Sequence, residues 1–441
     1  MRAVRNIIAT ALVSALFACY LIGQVNVDGD WINQYTSVRT VYHGNESDAD
    51  SVAVINPELF HPGDTCLFHV TKGAEIYNPP DIPQYPVLWG KVMNINNTGI
   101  YAFLIVDLVQ DSLVIFTAPL PPMIYSSKSE AVQLVRISTA DKLVINRPLE
   151  CTDWDPITGT GGIMALIAHH SITINATINA TGTGFSGGQP GPEPFGDSCK
   201  TVTDGAYQAG AADSAGNKGE SIVHNILPWS RGKSSNGTGG GGGNGKYSGG
   251  GGGSNYGLGS TGGMESESCS PGQNQGGRAN YLNPAYFANS GEFKNRIFMG
   301  GGGGTSTQDL PSRVATAGGN GGGIIILLTD SVICPGNDTI RAGGQTVTDT
   351  ATAGAGGGGG GGMIIIDADH YSGHLHLMVN GGDGGHTNDP QDVTGPGGFG
   401  GAGLLWFAGE SLPAGVTVDT TAGHAGIYTP DGTHHGAITT Q

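Results

Sequence analysis

The chain has 441 residues, of which 79 are glycine and only 12% are charged, and its formal net charge is −17. Nineteen Lys and Arg, scattered along the chain, leave no basic footprint for nucleic acid, and the acidic balance points to no polyanionic partner. The length allows two or three domains and a sizeable core.

The first element is a targeting segment. Arg2 and Arg5 precede an apolar run from Ile7 to Gly23, marginal for a membrane span and suited to a signal peptide over residues 1–23. Leu16-Phe17-Ala18-Cys19 resembles a lipobox and would leave Cys19 lipidated; cleavage near Gly23 or Gln24 is the other exit. Either exit predicts an exported chain, at the cell surface or extracellular, with no transmembrane span once mature. Export permits disulfides. Cysteines 66, 151, 199, 269 and 334 follow, an odd set, so at most two pairs form within the chain. Cys199 with Cys269 is the preferred pair, because it would close a long glycine-rich insertion and contribute ~4 kcal/mol in the chain-entropy model.

Residues 24–53 are polar, with Asp28, Asp30, Asn45, Asp48 and Asp50, and read as a linker or loose edge strand. From 54 to 150 the pattern is strand after strand. Cys66 to Thr71, Tyr101 to Val106, Leu113 to Thr117 and Val132 to Ile137 are separated by turn signals at Pro62-Gly63-Asp64, Asn97-Thr98-Gly99 and Pro121-Pro122. This predicts a small β domain.

Residues 151–441 read as a glycine-rich repeat domain. A glycine run leads into an apolar strand, and a second, alternating strand ends in another glycine loop. The strand starts are Ile163, Ile324, Met363 and Leu404; the last three lie about 40 residues apart, a repeat period. An insertion over 183–320 separates the first unit from the rest. In the third unit a turn is expected at Ser372-Gly373, and within the insertion a short helix is allowed at 283–289. The first strand of each late unit (Ile324 to Leu328, Met363 to Ile366, Leu404 to Phe407) is apolar on both faces, which suits strands covered on both sides. The four starts are expected at equivalent positions in neighbouring strands, with the insertion looped out.

The glycine runs have two readings. One is a flexible linker. The other is ordered polyglycine in the polyproline II conformation, whose closely approaching backbones admit only glycine. Seven such residues span about 22 Å, close to a typical strand. Short runs of similar length abutting apolar strands favour order. The fold class is therefore all-β: a small N-terminal β domain followed by a β-solenoid-like or layered β domain with polyglycine II runs.

The succession from Thr160-Gly-Gly-Ile-Met-Ala-Leu through Ile178 to Gly188, then Gly239 to Gly257, Met299 to Gly304, Gly318 to Ile326 and Gly395 to Gly401, resembles the glycine-rich N-terminal regions of large exported adhesin-like surface proteins of gliding bacteria. Upstream, Pro62-Gly-Asp-Thr, Gly99-Ile-Tyr-Ala-Phe, Val132 to Ile137 and Trp154-Asp155 also fit. The resemblance covers roughly 54 to 426. It implies a surface module; those proteins also carry Ig-like repeats and a sorting domain, which this sequence does not show, so the anchoring route stays open.

Candidate chemistry is sparse. His374 and His376 lie at i, i+2 on one strand face near Asp367 and Asp369, without a completed ligand set. Gly381 to Asp389 has the look of a calcium turn without its repeat. His169-His170 sits in an apolar strand-turn. Trp154 and Trp406 could stack on sugar rings, core packing being the alternative. No Walker sequence, nucleophile elbow or zinc-protease motif occurs, and no cofactor is expected. The expected function is a non-enzymatic exported adhesin or structural scaffold whose partners are an extracellular surface, a glycan or matrix, or a second copy. The alternative is a carbohydrate-active β-helix protein, which would need paired carboxylates in a cleft.

Overall fold

The computed structural model of the chain describes residues 23–27, 33–44, 50–77, 90–123, 125, 130–190, 215–224, 231–269, 275–282, 296–307, 312–408 and 411–439. The lipidation candidate Cys19, the cleavage region up to residue 22, Cys199 and the helix allowed at 283–289 lie outside them. Among the described residues no helix is long and apolar enough to cross a membrane.

Strand β1 (Gln24–Val27) joins a large sheet described below. Next come β2 (Gln34–Tyr42), β3 (Ser51–Val54) and β4 (Thr65–Lys72), then a small hairpin of β5 (Glu75–Ile76) and β6 (Val92–Asn94). They are followed by β7 (Tyr101–Gln110), β8 (Leu113–Phe116) and β9 (Ala131–Ile137). Strands β2-β3-β8-β7-β4-β9 close into an antiparallel barrel. Alternation decides what fills it. In β4, Cys66, Phe68 and Val70 point inward with Val106, Phe116 and Leu134. Leu67, between them, packs outside the barrel, with Val135 and Phe103.

The linker expected at 24–53 is corrected here: its described parts are β1, β2 and β3, which pair within the two sheets. Asp28, Asp30, Asn45, Asp48 and Asp50, which suggested a linker, fall between these strands, and the strand interiors are mostly Val, Thr, Tyr and Ala. The boundary at 150 also moves. Strands β10 (Thr139–Ile145) and β11 (Leu149–Glu150) belong to the second architecture, pairing in parallel with β12 (Ile163–Ile174) and β13 (Ile178–Asn179). Only Ser138 separates β9 from β10, so no turn signal marks the change.

The rest of the sheet is built from β14 (Ile324–Leu328), β15 (Ser331–Arg341), β16 (Met363–Asp367), β17 (His370–Met378), β18 (Leu404–Phe407) and β19 (Val416–Asp419). It is parallel, in two columns. In the first column Ile163 pairs with Ile324, Ile324 with Met363 and Met363 with Leu404, the equivalence expected from the repeat. In the second, β15 pairs with β17 and β17 with β19. The turn expected at Ser372-Gly373 is absent. Strand β17 runs through it, the bend falls at Ala368-Asp369, and Gly373 takes φ +90° at a register shift opposite Cys334.

In the first column, β14, β16 and the start of β12 are buried on both faces. Met164, Leu166, Ile325, Leu327, Ile364 and Ile366 face a core shared with the second column. Ile163, Ala165, Ile324, Ile326, Met363 and Ile365 face the outer wall of the barrel and the insertion. The insertion is therefore not looped out. Phe185, Ile222, Phe298 and Met299 from it cover the sheet, and its return at Gly323 meets the unit it left, with Ile324 N–H donating to Gly162 O at 2.8 Å.

The glycine runs pack against one another. In the run 356–362, Gly357 and Gly360 donate to Gly304 and Gly301, Gly358 and Gly361 to Gly398 and Gly401, and Gly359 and Gly362 to Gln345 and Ala342. Donors three residues apart reach the same neighbour, and successive donors reach three different ones. The run 300–305 repeats the rule, with donors going in turn to 319–322, 251–254 and 217–220. These glycines are not in the left-handed region, so the demand for glycine is spatial: a Cβ on Gly359 would overlap the carbonyl oxygen of Asn320.

Candidate functional site

The two ends of the first column differ. At the upstream end, side chains cover the outer edge of β12 at Ile163 to Ala165, before β10 takes it over from Ile167. Asn33 Nδ2 donates to Ala165 O at 2.9 Å and Ala165 N–H donates to Asn33 Oδ1 at 2.8 Å, so one carboxamide substitutes for a strand's peptide group. Tyr35 Oη donates to Ile163 O at 2.6 Å. At the downstream end β18 pairs with β16 on one side, and its four residues are half-buried.

Beside β18 lies a groove of about 530 Å³ lined by Tyr256, Leu258, Tyr281, Leu404, Leu405 and Thr420, with the backbone of Gly257 and residues 402–403. Glycine sets its geometry. Gly257 N–H donates to Ala402 O at 2.7 Å, and a Cβ on Gly257 would lie 2.6 Å from the Ala402 nitrogen. The insertion thus approaches at backbone contact and carries Tyr256 and Leu258 to the start of β18. Asn255 anchors the approach, its amide donating to Gly361 O at 3.0 Å. Leu282 N–H donates to Asn255 O and brings Tyr281 to the same place. Tyr256 is 37% and Tyr281 45% exposed. Among the described residues the lining combines aromatic faces, hydroxyls and aliphatic surface and carries no formal charge. Such a wall binds by stacking and hydrogen bonding. Neither tyrosine stood out in sequence beyond being an aromatic among glycine runs, which is the signal that could have marked it.

The sequence-expected residues fall elsewhere. Trp154 is corrected: it is 5% exposed, Nε1 donates to Glu220 Oε1 at 3.0 Å, and Phe185 meets its ring edge-on at 5.5 Å. The Lys72 ammonium sits 5.7 Å from the same ring and pairs with Glu220. No ring face is left for a sugar; the tryptophan locks the barrel to the insertion. Trp406 is half-buried on β18, opposite Ile365, next to the groove residues Leu404 and Leu405.

His376 Nδ1 lies 2.9 Å from Thr417 Oγ1, whereas Asp367 is buried on β16. His170 pairs with Asp141. Asp383 engages His424 at 3.1 Å and Asp389 engages Arg313 at 2.9 Å, so the two carboxylates of the expected calcium turn serve different partners. Among the described residues no group of three His, Cys, Asp or Glu could hold a metal ion. Cys269 is disulfide-bonded, and Cys66, Cys151 and Cys334 are buried free thiols. Burial pushes the Cys151 thiol up to about 12.

A second polar cluster went unread in sequence. Tyr247, fully buried with φ +57°, has the Arg313 guanidinium 4.4 Å and the Lys246 ammonium 5.2 Å from its ring centre. With Asp389 and Asp392 these groups tie the insertion to the segment between β17 and β18.

No protein-family model and no curated protein matches the chain. Among solved structures it has a likeness to the Gp54 tailspike of Acinetobacter baumannii bacteriophage AP22, which was solved in complex with A. baumannii capsular saccharide. The two share 10% identity at a TM-score of 0.17, with 92% of this chain and 57% of that chain covered, a likeness too slight to carry an argument.

Proposed function

We propose that this chain is a non-enzymatic module of an exported cell-surface adhesin or scaffold, of the kind its sequence resembles in gliding bacteria. Its ligand in this reading is a neutral saccharide of a glycan or matrix, bound in the groove beside β18. The observation that carries the reading is the groove itself: two half-exposed tyrosines and Thr420 on an uncharged wall, held by backbone-to-backbone contacts. Sugar rings offer apolar C–H faces to aromatic rings and hydroxyls to hydrogen bonds, and the lining supplies both kinds of partner. The glycine runs form a polyglycine II bundle in this reading, supported by the recurrence of hydrogen-bond partners every third residue. Such a bundle is a stiff base for the groove.

The test is a screen of the purified protein against neutral glycans, followed by calorimetry with any that bind. The double substitution Tyr256→Ala, Tyr281→Ala should weaken binding at least about tenfold, or ~1.4 kcal/mol, with the circular dichroism spectrum unchanged. Affinity that survives loss of both rings would discard the groove. Release of shortened oligosaccharides from a polysaccharide would instead assign the protein to the carbohydrate-active class.

A further inference from the structure

We infer that the open edge of β18 is an interface for a second copy of this chain, formed by antiparallel pairing about a twofold axis at Trp406. Peptide groups on a strand alternate in direction. Leu404 N–H donates to Gly362 O at 3.0 Å and Ala408 N–H to Ile366 O at 3.1 Å, so residues 404, 406 and 408 turn their peptide groups toward β16. Those of Leu405 and Phe407 turn away, and among the described residues no strand pairs with that edge. An edge with unmade hydrogen bonds and apolar side chains on both faces is a template for another strand.

Three observations choose the occupant. The first is register. In an antiparallel pair, two opposed residues exchange both of their bonds. Placing Leu405 opposite the partner's Phe407, and Phe407 opposite the partner's Leu405, satisfies all four outward groups on each strand. The centre of that register is Trp406 facing its own copy, so the edge is self-complementary, as an isologous interface requires.

The second observation is the blocked upstream end. Head-to-tail stacking of the first column would need the edge of β12, and Asn33, Tyr35 and, from Ile167 onward, β10 already hold it. The third is charge. The chain carries −17, yet Leu404 to Ala408 and the described lining of the adjoining groove are uncharged, so the pairing segment itself sets no like charges opposite one another. This inference does not rest on the groove's binding a saccharide. Leu405 also lines the groove, so pairing would set the two grooves at the rim of one shared seam.

Sedimentation of the full chain tests it, together with amide exchange of the 404–408 segment across a wide dilution range. The expected result is a species of twice the 44.9 kDa chain mass, with the Leu405 and Phe407 amides protected at high concentration and exposed on dilution. Leu405→Pro removes one outward N–H and leaves the bonds to β16 in place, so it should give a monomer with the same far-ultraviolet spectrum. If that variant does not fold, exchange in the unaltered chain decides. A monomer at every concentration, or amide exchange that ignores dilution, overturns the proposal, and so does a dimer that persists in the folded proline variant.

Discussion

His69 shows how much a single residue depends on being enclosed. It sits on β4, fully buried, with Nε2 3.1 Å from Ile297 O and Nδ1 3.1 Å from Thr71 Oγ1. A carbonyl can only accept, so Nε2 carries a proton; burial keeps the ring neutral, which leaves Nδ1 to accept from the threonine hydroxyl. Burial holds its pKa down, to about 4, against the backbone bond that favours the charged form. The sign follows. Between pH 6.5 and about 4 the unfolded chain binds a proton that the folded chain refuses, so stability falls on acidification through that window by about 3 kcal/mol. Denaturant midpoints measured from pH 7 to 4.5 should decline, and His69→Gln should flatten the decline. A midpoint independent of pH would show that the ring is not enclosed as described. Gly359 is the complementary case, where the side chain is what must be absent. Gly359→Val would drive two backbones apart and should destabilise the protein by more than about 3 kcal/mol, whereas Thr348→Val, on an exposed loop, should change it by less than about 0.5 kcal/mol. Equal melting temperatures for the two variants would return the glycines to the status of a linker.

Strands β12, β14, β16 and β18 are the elements that sequence disclosed best. Four or more consecutive apolar residues after glycine leave little choice but a strand covered on both sides, and the near-equal spacing of the last three gives their register. What covers them was not legible. Tyr256, Phe185 and Phe298 are isolated aromatics among glycines, and nothing local says which strand each will meet. Trp154 was open to either reading, and only Glu220, sixty-six residues away, shows that its indole is spoken for. The closed edge of β12 was also invisible, because Asn33 lies in a stretch whose polarity suggested a linker. That edge is a test of the element. Asn33→Leu keeps bulk but leaves the Ala165 N–H and C=O buried and unpaired, which should cost about 2 kcal/mol, while Asn33→Gln should recover part of the loss. If the leucine variant melts with the unaltered chain, the carboxamide is not acting as a strand surrogate.

At the scale of the whole molecule, two kinds of interior meet. The barrel and the strand columns bury hydrocarbon. The glycine threads bury peptide groups, each run dividing its donors among three neighbours. The two interiors respond differently to temperature. Exposing apolar surface raises the heat capacity, by about 0.45 cal/mol/K per Å², and exposing polar surface lowers it, by about 0.26. Unfolding the threads releases mostly peptide and so offsets part of what the strands contribute. The curvature of stability against temperature comes from that heat-capacity difference. A chain with this much buried backbone therefore has a flatter curve than a hydrocarbon-cored protein of equal length, with its stability spread over a broader range of warm and cold.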